Sequence, residues 1–416
     1  MNDIPNLITR RNFLAQSGVA AAALSFPHIA RAQDAAGPTL RVGIIGSGGR
    51  SHNVGDMAIQ DGRFKIVALA DYFQDAVDRQ GAKFNVPADR RYTGLDCFRK
   101  LIDAGNVDIV AVLSPPYFHP EQVEAAVEAG LHVWLAKPIA VDAPGVARIE
   151  AAAAEATRRK RCVLVDFQTR AFAHYHEAAR RVAAGDLGTL GYGEVEGTCG
   201  AFVLRTPHGS QEAKLKNWLQ WRELCGESIL EFSIHAIDLA NLMIGRKPVS
   251  ATGFCGRNLL DHMPAPTPGD VRDHWIGTYD YGDGLKVGLR CKRLEGHGVA
   301  NHGGIYVNLH GSHGSLHSNY GGQALILGKK SFNGDKFMGE KIRGIYNSGI
   351  SHNWNTFYDN ITQENFAQET VAPSVQSHYM ALLARKACYG KGETVTWDEV
   401  VSDTTSIEFD TTGLKS

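Results

Sequence analysis

Between residues 40 and 166 short apolar runs alternate with longer amphipathic stretches. The runs at 40–45, 65–70, 107–113, 132–135 and 162–165 are apolar on consecutive positions, as strands buried on both faces must be. The intervening stretches at 72–84, 95–104, 120–129 and 144–159 each carry one polar face and end near glycine, a basic residue or the next run, which predicts helices. Strand and helix in strict alternation give a doubly wound α/β sheet with right-handed crossovers. Beyond residue 167 the texture changes. Strand-like segments at 191–199, 248–254, 275–281, 284–293, 304–309 and 324–327 are separated by glycine-rich turns such as Gly311-Ser312-His313-Gly314. Residues 228–245 and 374–389 read as helices. The second part is therefore expected to be an α+β domain on a large, mostly antiparallel sheet.

The first apolar run ends in Gly46-Ser47-Gly48-Gly49-Arg50, and the second ends at Asp71. Glycine lets a backbone approach a pyrophosphate that a Cβ would push away, and the helix that follows turns its amides towards the phosphates. A carboxylate at the second strand end can accept hydrogen bonds from both adenosine ribose hydroxyls, and it disfavours the 2′-phosphate of NADP by like charge. The order strand, turn, helix, strand and acid predicts NAD, with Gly46, Gly48, Gly49 and Asp71 around it. Arg50 is a further candidate for the phosphates.

The amino-terminal forty residues follow another pattern. Arg10-Arg11 precede Phe13-Leu14, an alanine-rich apolar run and Ala30-Arg31-Ala32, a small-x-small cleavage signal. The apolar run is too short to span a bilayer permanently. This predicts a twin-arginine export signal over 1–32, a linker over 33–38, a cofactor domain over 39–166 and a substrate and oligomerisation domain over 167–416. The expected location is the periplasm, reached by the folded protein with its cofactor aboard.

Composition narrows the partners. The 416 residues are 44% hydrophobic and 21% charged with net charge -1, which gives no support for nucleic-acid binding. Seven scattered cysteines contain no C-x-x-C pair, so neither a zinc site nor a disulfide framework is indicated. No membrane contact is expected once the signal is removed.

Chemistry-bearing residues recur at the ends of the predicted parallel strands, where a doubly wound sheet binds its ligand. Ser114-Pro115-Pro116-Tyr117-Phe118-His119 follows the third long run, so that Ser114, Pro115 and His119 face the nicotinamide half or, for His119, cap the next helix. Lys137 ends the next strand, where its ammonium can polarise a substrate hydroxyl and stabilise the alkoxide. Glu231, His235 and Asp238 fall four and three apart in an apolar segment. One continuous helix would point all three together, with the carboxylates orienting a general base or, alternatively, Glu and His clamping a metal. The predicted metal content is none. Gln168 and Arg170 lie at the junction of the two domains, as cofactor and substrate contacts respectively. Trp218 and Trp221 suit either the apolar face of a sugar ring or an ordinary core.

These pieces together resemble the glucose–fructose oxidoreductase / inositol dehydrogenase / MocA family, from about residue 39 onward. The glycine turn, Asp71, Ser114-Pro115 with His119, Lys137-Pro138, and the acid four residues before His235 match its motifs. The family's E-K-P motif reads Ala136-Lys137-Pro138 here, so its carboxylate is missing, and Glu231 stands where many members carry Asp. The resemblance implies NAD(P) chemistry at a secondary hydroxyl of a sugar, cyclitol or derivative, by a homodimer or homotetramer. The alternative, drawn from some relatives, is a glycosidase, lyase or epimerase that oxidises its sugar transiently with no net redox change. In both readings Lys137, Glu231 and His235 touch substrate.

Overall fold

The computed structural model describes residues 37–200, 204–207, 209–262, 268–293, 304–328, 336–339, 342 and 344–416. The expected export signal lies outside the described residues, as do positions 33–36 of the linker.

Six strands form a wholly parallel sheet: β1 (Leu40–Ile45), β2 (Phe64–Asp71), β3 (Arg91–Thr93), β4 (Ile109–Val112), β5 (His132–Ala136) and β6 (Val163–Asp166). Their order is β3-β2-β1-β4-β5-β6, which reverses direction between β1 and β4 and so opens a crevice above their carboxyl ends. The central strands are apolar because helices cover both faces, and every residue of β4 is buried. The three-residue strand β3 is too short to leave a pattern in the sequence.

Among the described residues nine strands form the second sheet: β7 (Leu190–Cys199), β8 (Ser250–Gly256), β9 (His274–Asp280), β10 (Lys286–Arg293), β11 (Ile305–Gly311), β12 (Gly314–Asn319), β13 (Ala324–Gly328), β14 (Lys336–Met338) and β15 (Val395–Thr396). Among these described strands β7 with β10 is the one parallel pair, and the other neighbours are antiparallel. One face of this sheet carries the apolar alternation, with Val287, Leu289 and Cys291 of β10 buried, and packs on the helices Ile234–Ile244 and Val371–Tyr389. The core runs from this sheet into the first without a break.

Two findings depart from the sequence pattern. The helix Ile345–Thr362 returns from the second half to cover the parallel sheet. Its Trp354 stacks on Trp134 of β5 at 5.5 Å and donates its indole N–H to the Val54 carbonyl at 3.0 Å. The expected continuous helix over 228–245 is instead two, Ser228–Glu231 and Ile234–Ile244. Ser233 is drawn against Gly197 of β7, where an added Cβ would lie 2.7 Å from the Ser233 Cα, and its hydroxyl donates to the Gly197 carbonyl at 3.1 Å. That contact takes Phe232 and Ser233 out of the helix. Glu231 and His235 consequently do not share one helical face.

Candidate active site

The crevice above β1 and β4 holds a cleft of ≈ 380 Å³ whose walls include Gly46, Gly48, Gly49, Asp71, Ser114 and Pro115. The three glycines serve two different needs. Gly46 sits at φ +91°, and a Cβ there would lie 2.4 Å from the Ser114 nitrogen, so it is needed for the close approach of β1 to the chain leaving β4. A Cβ at Gly48 or Gly49 would meet nothing within 4 Å, so these residues leave room on the cleft side. There the helix Gly49–Asp61 begins without a side-chain cap, its first amides and dipole left for an anion. Asp71 accepts from the Ser47 amide at 2.7 Å and the Phe73 amide at 2.9 Å, which fixes its carboxylate at the cleft wall. Burial raises its pKa, while the two amide bonds pull the other way. A glycine cradle, an uncapped helix start and a braced acid fit a dinucleotide.

Arg50, expected at the phosphates, turns away from this cleft. Its guanidinium pairs with Asp166 at the end of β6 and lies 4.5 Å from the centre of the Tyr346 ring. Trp218 lines the dinucleotide cleft, and Trp221 lies under the Lys214 ammonium at 4.6 Å; both pack around Leu215, Leu224 and Phe409. The structure thus puts the tryptophans in an aromatic wall beside the dinucleotide cleft.

At the other end, Ser114 donates its hydroxyl to Gln122 Oε1 at 2.6 Å. His119 is a brace: Nε2 lies 2.7 Å from the Ser114 carbonyl and Nδ1 2.8 Å from the Pro138 carbonyl, so one ring ties the loops after β4 and β5 together. Burial pushes its pKa down to about 4. Lys137 follows β5 and reaches across to the second half, where its ammonium donates to the Glu231 carbonyl and lies 3.3 Å from Glu231 Oε1. The carboxylate missing at Ala136 is therefore supplied from the other side of the crevice. Glu231 pairs with Lys137, whereas the continuous-helix reading had it orienting His235.

His235 is buried with its ring 4.9 Å from that of Tyr320, and its Nδ1 has no hydrogen-bond partner among the described residues. Burial, with Lys137 and Arg50 nearby, holds its pKa well below the ordinary value, so the imidazole is neutral and able to accept a proton. Burial raises the Glu231 pKa against the pull of Lys137, and Glu231 Oε2 is likewise unpartnered among the described residues.

Asp238 departs from the expected role. It is fully buried, accepts from Arg170 Nε at 2.9 Å and from the Ser377 hydroxyl at 2.8 Å, and makes no bond to His235. Its place one turn along the helix faces the Val371–Tyr389 helix, and the same pair removes Arg170 from the substrate contacts. Gln168 is also internal: it donates to Asp166 Oδ2 at 2.7 Å and accepts from the Tyr320 hydroxyl at 2.7 Å. Asn353 donates to Asp166 Oδ1 at 2.6 Å. Asp166 thus gathers Arg50, Gln168 and Asn353, and through Gln168 reaches Tyr320 beside His235. The sequence reading missed Tyr320 and Asn353, which come from the turn just after β12 and from a returning helix with no motif around them. Among the described residues no group of three His, Cys, Asp or Glu side chains could hold a metal, and all seven cysteines are free thiols.

Comparison with known proteins agrees with this architecture. Residues 40–167 match the model of an oxidoreductase family with an NAD-binding Rossmann fold, and residues 175–317 match the GFO/IDH/MocA C-terminal domain. Inositol 2-dehydrogenase 3 of Saccharopolyspora erythraea is 37% identical over 153 residues, which is 36% of this chain and 43% of that protein. A glycosyl hydrolase family 109 protein of Streptomyces niveus is 35% identical over 107 residues, 25% of this chain and 22% of that protein. A levoglucosan dehydrogenase solved with NADH and levoglucosan shares the fold at a TM-score of 0.65 and 18% identity, over 86% of this chain and 99% of that one. The chain belongs to the glucose–fructose oxidoreductase / inositol dehydrogenase / MocA family and carries that family's NAD-binding Rossmann fold.

Proposed function

We propose that the protein is an NAD-dependent oxidoreductase acting on a secondary hydroxyl of a sugar or polyol. The observation that carries this reading is the meeting of Lys137, from the end of a cofactor-sheet strand, with Glu231 and a neutral, buried His235. His235 takes the substrate hydroxyl proton, and Lys137 stabilises the alkoxide that results. Glu231 holds the lysine in place and offers its second oxygen to a neighbouring hydroxyl. Asp166, Gln168 and Tyr320 fix the wall beside His235. NAD, when bound at Gly48, Gly49 and Asp71, supplies the hydride acceptor.

A second reading is favoured by the likeness to family 109 glycosyl hydrolases: oxidation of a sugar hydroxyl would acidify the neighbouring C–H, the aglycone would leave by elimination, water would add in its place, and the hydride would return to the sugar with no net redox change. Incubation of the purified protein with inositols, hexoses and aryl glycosides separates the two. An oxidised polyol with matching NADH absorbance supports the dehydrogenase; released aglycone without net NADH supports the hydrolase. Denaturation should release NAD, and NADP in its place would overturn the Asp71 argument.

The location and assembly belong to the same proposal. Arg10-Arg11 and Ala30-Arg31-Ala32 support export to the periplasm, testable by cell fractionation of a variant with both arginines replaced by lysine. Phe254 and Ile276, cross-strand partners on the second sheet and each 60% exposed, support a homodimer or homotetramer through that face, testable by light scattering.

A further inference from the structure

Residues 404–416 form no helix or strand, yet they are fastened to the described fold along their length. The Ile407 amide donates to Asp142 Oδ2 at 2.7 Å. Phe409 is buried, with its ring 5.9 Å from Tyr117 and 6.3 Å from Phe118. Gln211 donates to Asp410 Oδ2 at 3.0 Å, the Lys415 amide donates to the Tyr72 hydroxyl at 3.2 Å, and the Leu95 amide donates to the Lys415 carbonyl at 2.8 Å.

Three of the residues that this segment touches belong to the cofactor site. Tyr72, Leu95 and Phe118 line the dinucleotide cleft, and each comes from a different loop at the rim of the parallel sheet. The helix Gln211–Lys216, from the second half of the chain, adds to the wall through Leu215 and Lys216. Lys216 lies 4.1 Å from the centre of the Phe73 ring and pairs with Asp75 at 3.0 Å, so this helix is pinned across the cleft onto the residues following β2. Leu215 and Phe409 share one apolar cluster with Tyr72, Phe73, Tyr117 and Phe118. A dinucleotide fold alone needs neither the helix nor the segment. None of these residues is among those around Lys137 and His235.

We propose that residues 404–415 and the helix Gln211–Lys216 form a clamp on the adenosine end of NAD, so that the cofactor stays bound from one turnover to the next. The segment ties the cleft walls together from behind, and the helix closes them from the second domain. In this clamp the nucleotide leaves as the helix parts from Phe73 and Asp75, a movement that the buried Phe409 and the Gln211–Asp410 bond oppose. Because related complexes differ mainly in how fast they come apart, the clamp acts on release more than on capture.

The inference rests on the NAD reading, and its test keeps the two apart. The full chain is loaded with NADH, and release is followed by nicotinamide fluorescence after an excess of NAD is added. Phe409→Ala, and separately the surface pair Gln211→Ala with Asp410→Ala, should each speed release, by about tenfold for Phe409→Ala. Each variant is first melted without nucleotide. If Phe409→Ala melts far below the parent, the surface pair carries the test. Release within about twofold of the parent in variants that melt normally overturns the clamp. A parent chain that binds no NADH overturns the cofactor reading itself.

Discussion

The two ends of the crevice above the parallel sheet are built on different terms. At the adenosine end the shape comes from backbone: a left-handed Gly46, two glycines that leave space, and Asp71 held by two amides. The reacting end is made of side chains from both halves of the chain. There Glu231 Oε2, His235 Nδ1 and Arg50 Nη1 are buried with no partner among the described residues. A buried polar atom without a hydrogen bond costs about 1–3 kcal/mol. Three of them in one electrostatic neighbourhood, where Arg50 acts on both Glu231 and His235, form a set that a polyhydroxylated ligand could satisfy. The adenosine end is built to hold, and the reacting end keeps its valences for substrate.

The comparison breaks most sharply if the reacting end is silenced alone. Lys137→Met and His235→Ala should each lower kcat by roughly 10²–10⁴-fold, the usual yield of a positioned acid or base. NADH binding, followed by fluorescence, should persist in both. Undiminished turnover in the two variants would remove them from the chemistry, and lost NADH binding would mean the two ends are not separable.

Asp238→Asn tests the boundary of that end. Removing one partner of a buried pair leaves the other charge stranded, so the Arg170 contact predicts a loss of about 3–5 kcal/mol in unfolding free energy. The residual activity of the folded fraction should keep the parent's pH profile. A shifted profile would return Asp238 to the tuning of His235.

Much of the adenosine end was legible in the sequence because each part lies next to the element that positions it. A glycine turn follows its strand, and Asp71 ends the next. The reacting end was legible only as an inventory. Lys137 and His235 stood out, but their geometry depends on Ser233 packing against Gly197, a contact between positions 36 apart that no periodicity records. Arg50 illustrates the same limit. Its place in the glycine turn suggested phosphate, and Asp166 from β6 claims it. The helix Ile345–Thr362 escaped because its buried residues serve a sheet laid down far earlier in the chain, with Trp354 bonded to a residue 300 positions before it, so its apolar face had no local partner to mark it.

Glu231 sharpens the comparison at the next level down. As the carboxylate that faces Lys137 in place of Ala136, its loss should let the ammonium wander, and misplacement by an ångström costs on the order of 10²-fold in rate. Glu231→Gln should therefore lower kcat by up to that amount. If the role is to hold Lys137, adding Ala136→Glu should recover part of the loss, since a carboxylate would then reach the lysine from its own strand end. If Glu231 acts only by binding a substrate hydroxyl, the added carboxylate rescues nothing and the change appears in KM.

The smallest expected effect is on the pH dependence. His235 is pushed well below its ordinary pKa by burial and by two neighbouring cations, so it stays an unprotonated base at pH values where an exposed histidine would already be charged. Between pH 8 and 6.5 kcat/KM should change by less than about twofold, with the acid limb falling below the ordinary histidine value of about 6.5. Stability must be followed alongside. His119 is held at about 4 and His132 at about 4, with His132 Nδ1 accepting the Cys162 amide at 2.9 Å. The unfolded chain takes up these protons near pH 6.5 and the folded chain only near 4, so the unfolded state binds more protons in that window and stability declines as pH falls through it. A melting midpoint measured at each pH separates the two losses. An acid limb centred at 6.5 or above in protein that is still fully folded would show that His235 is not the group whose neutral form the reaction needs.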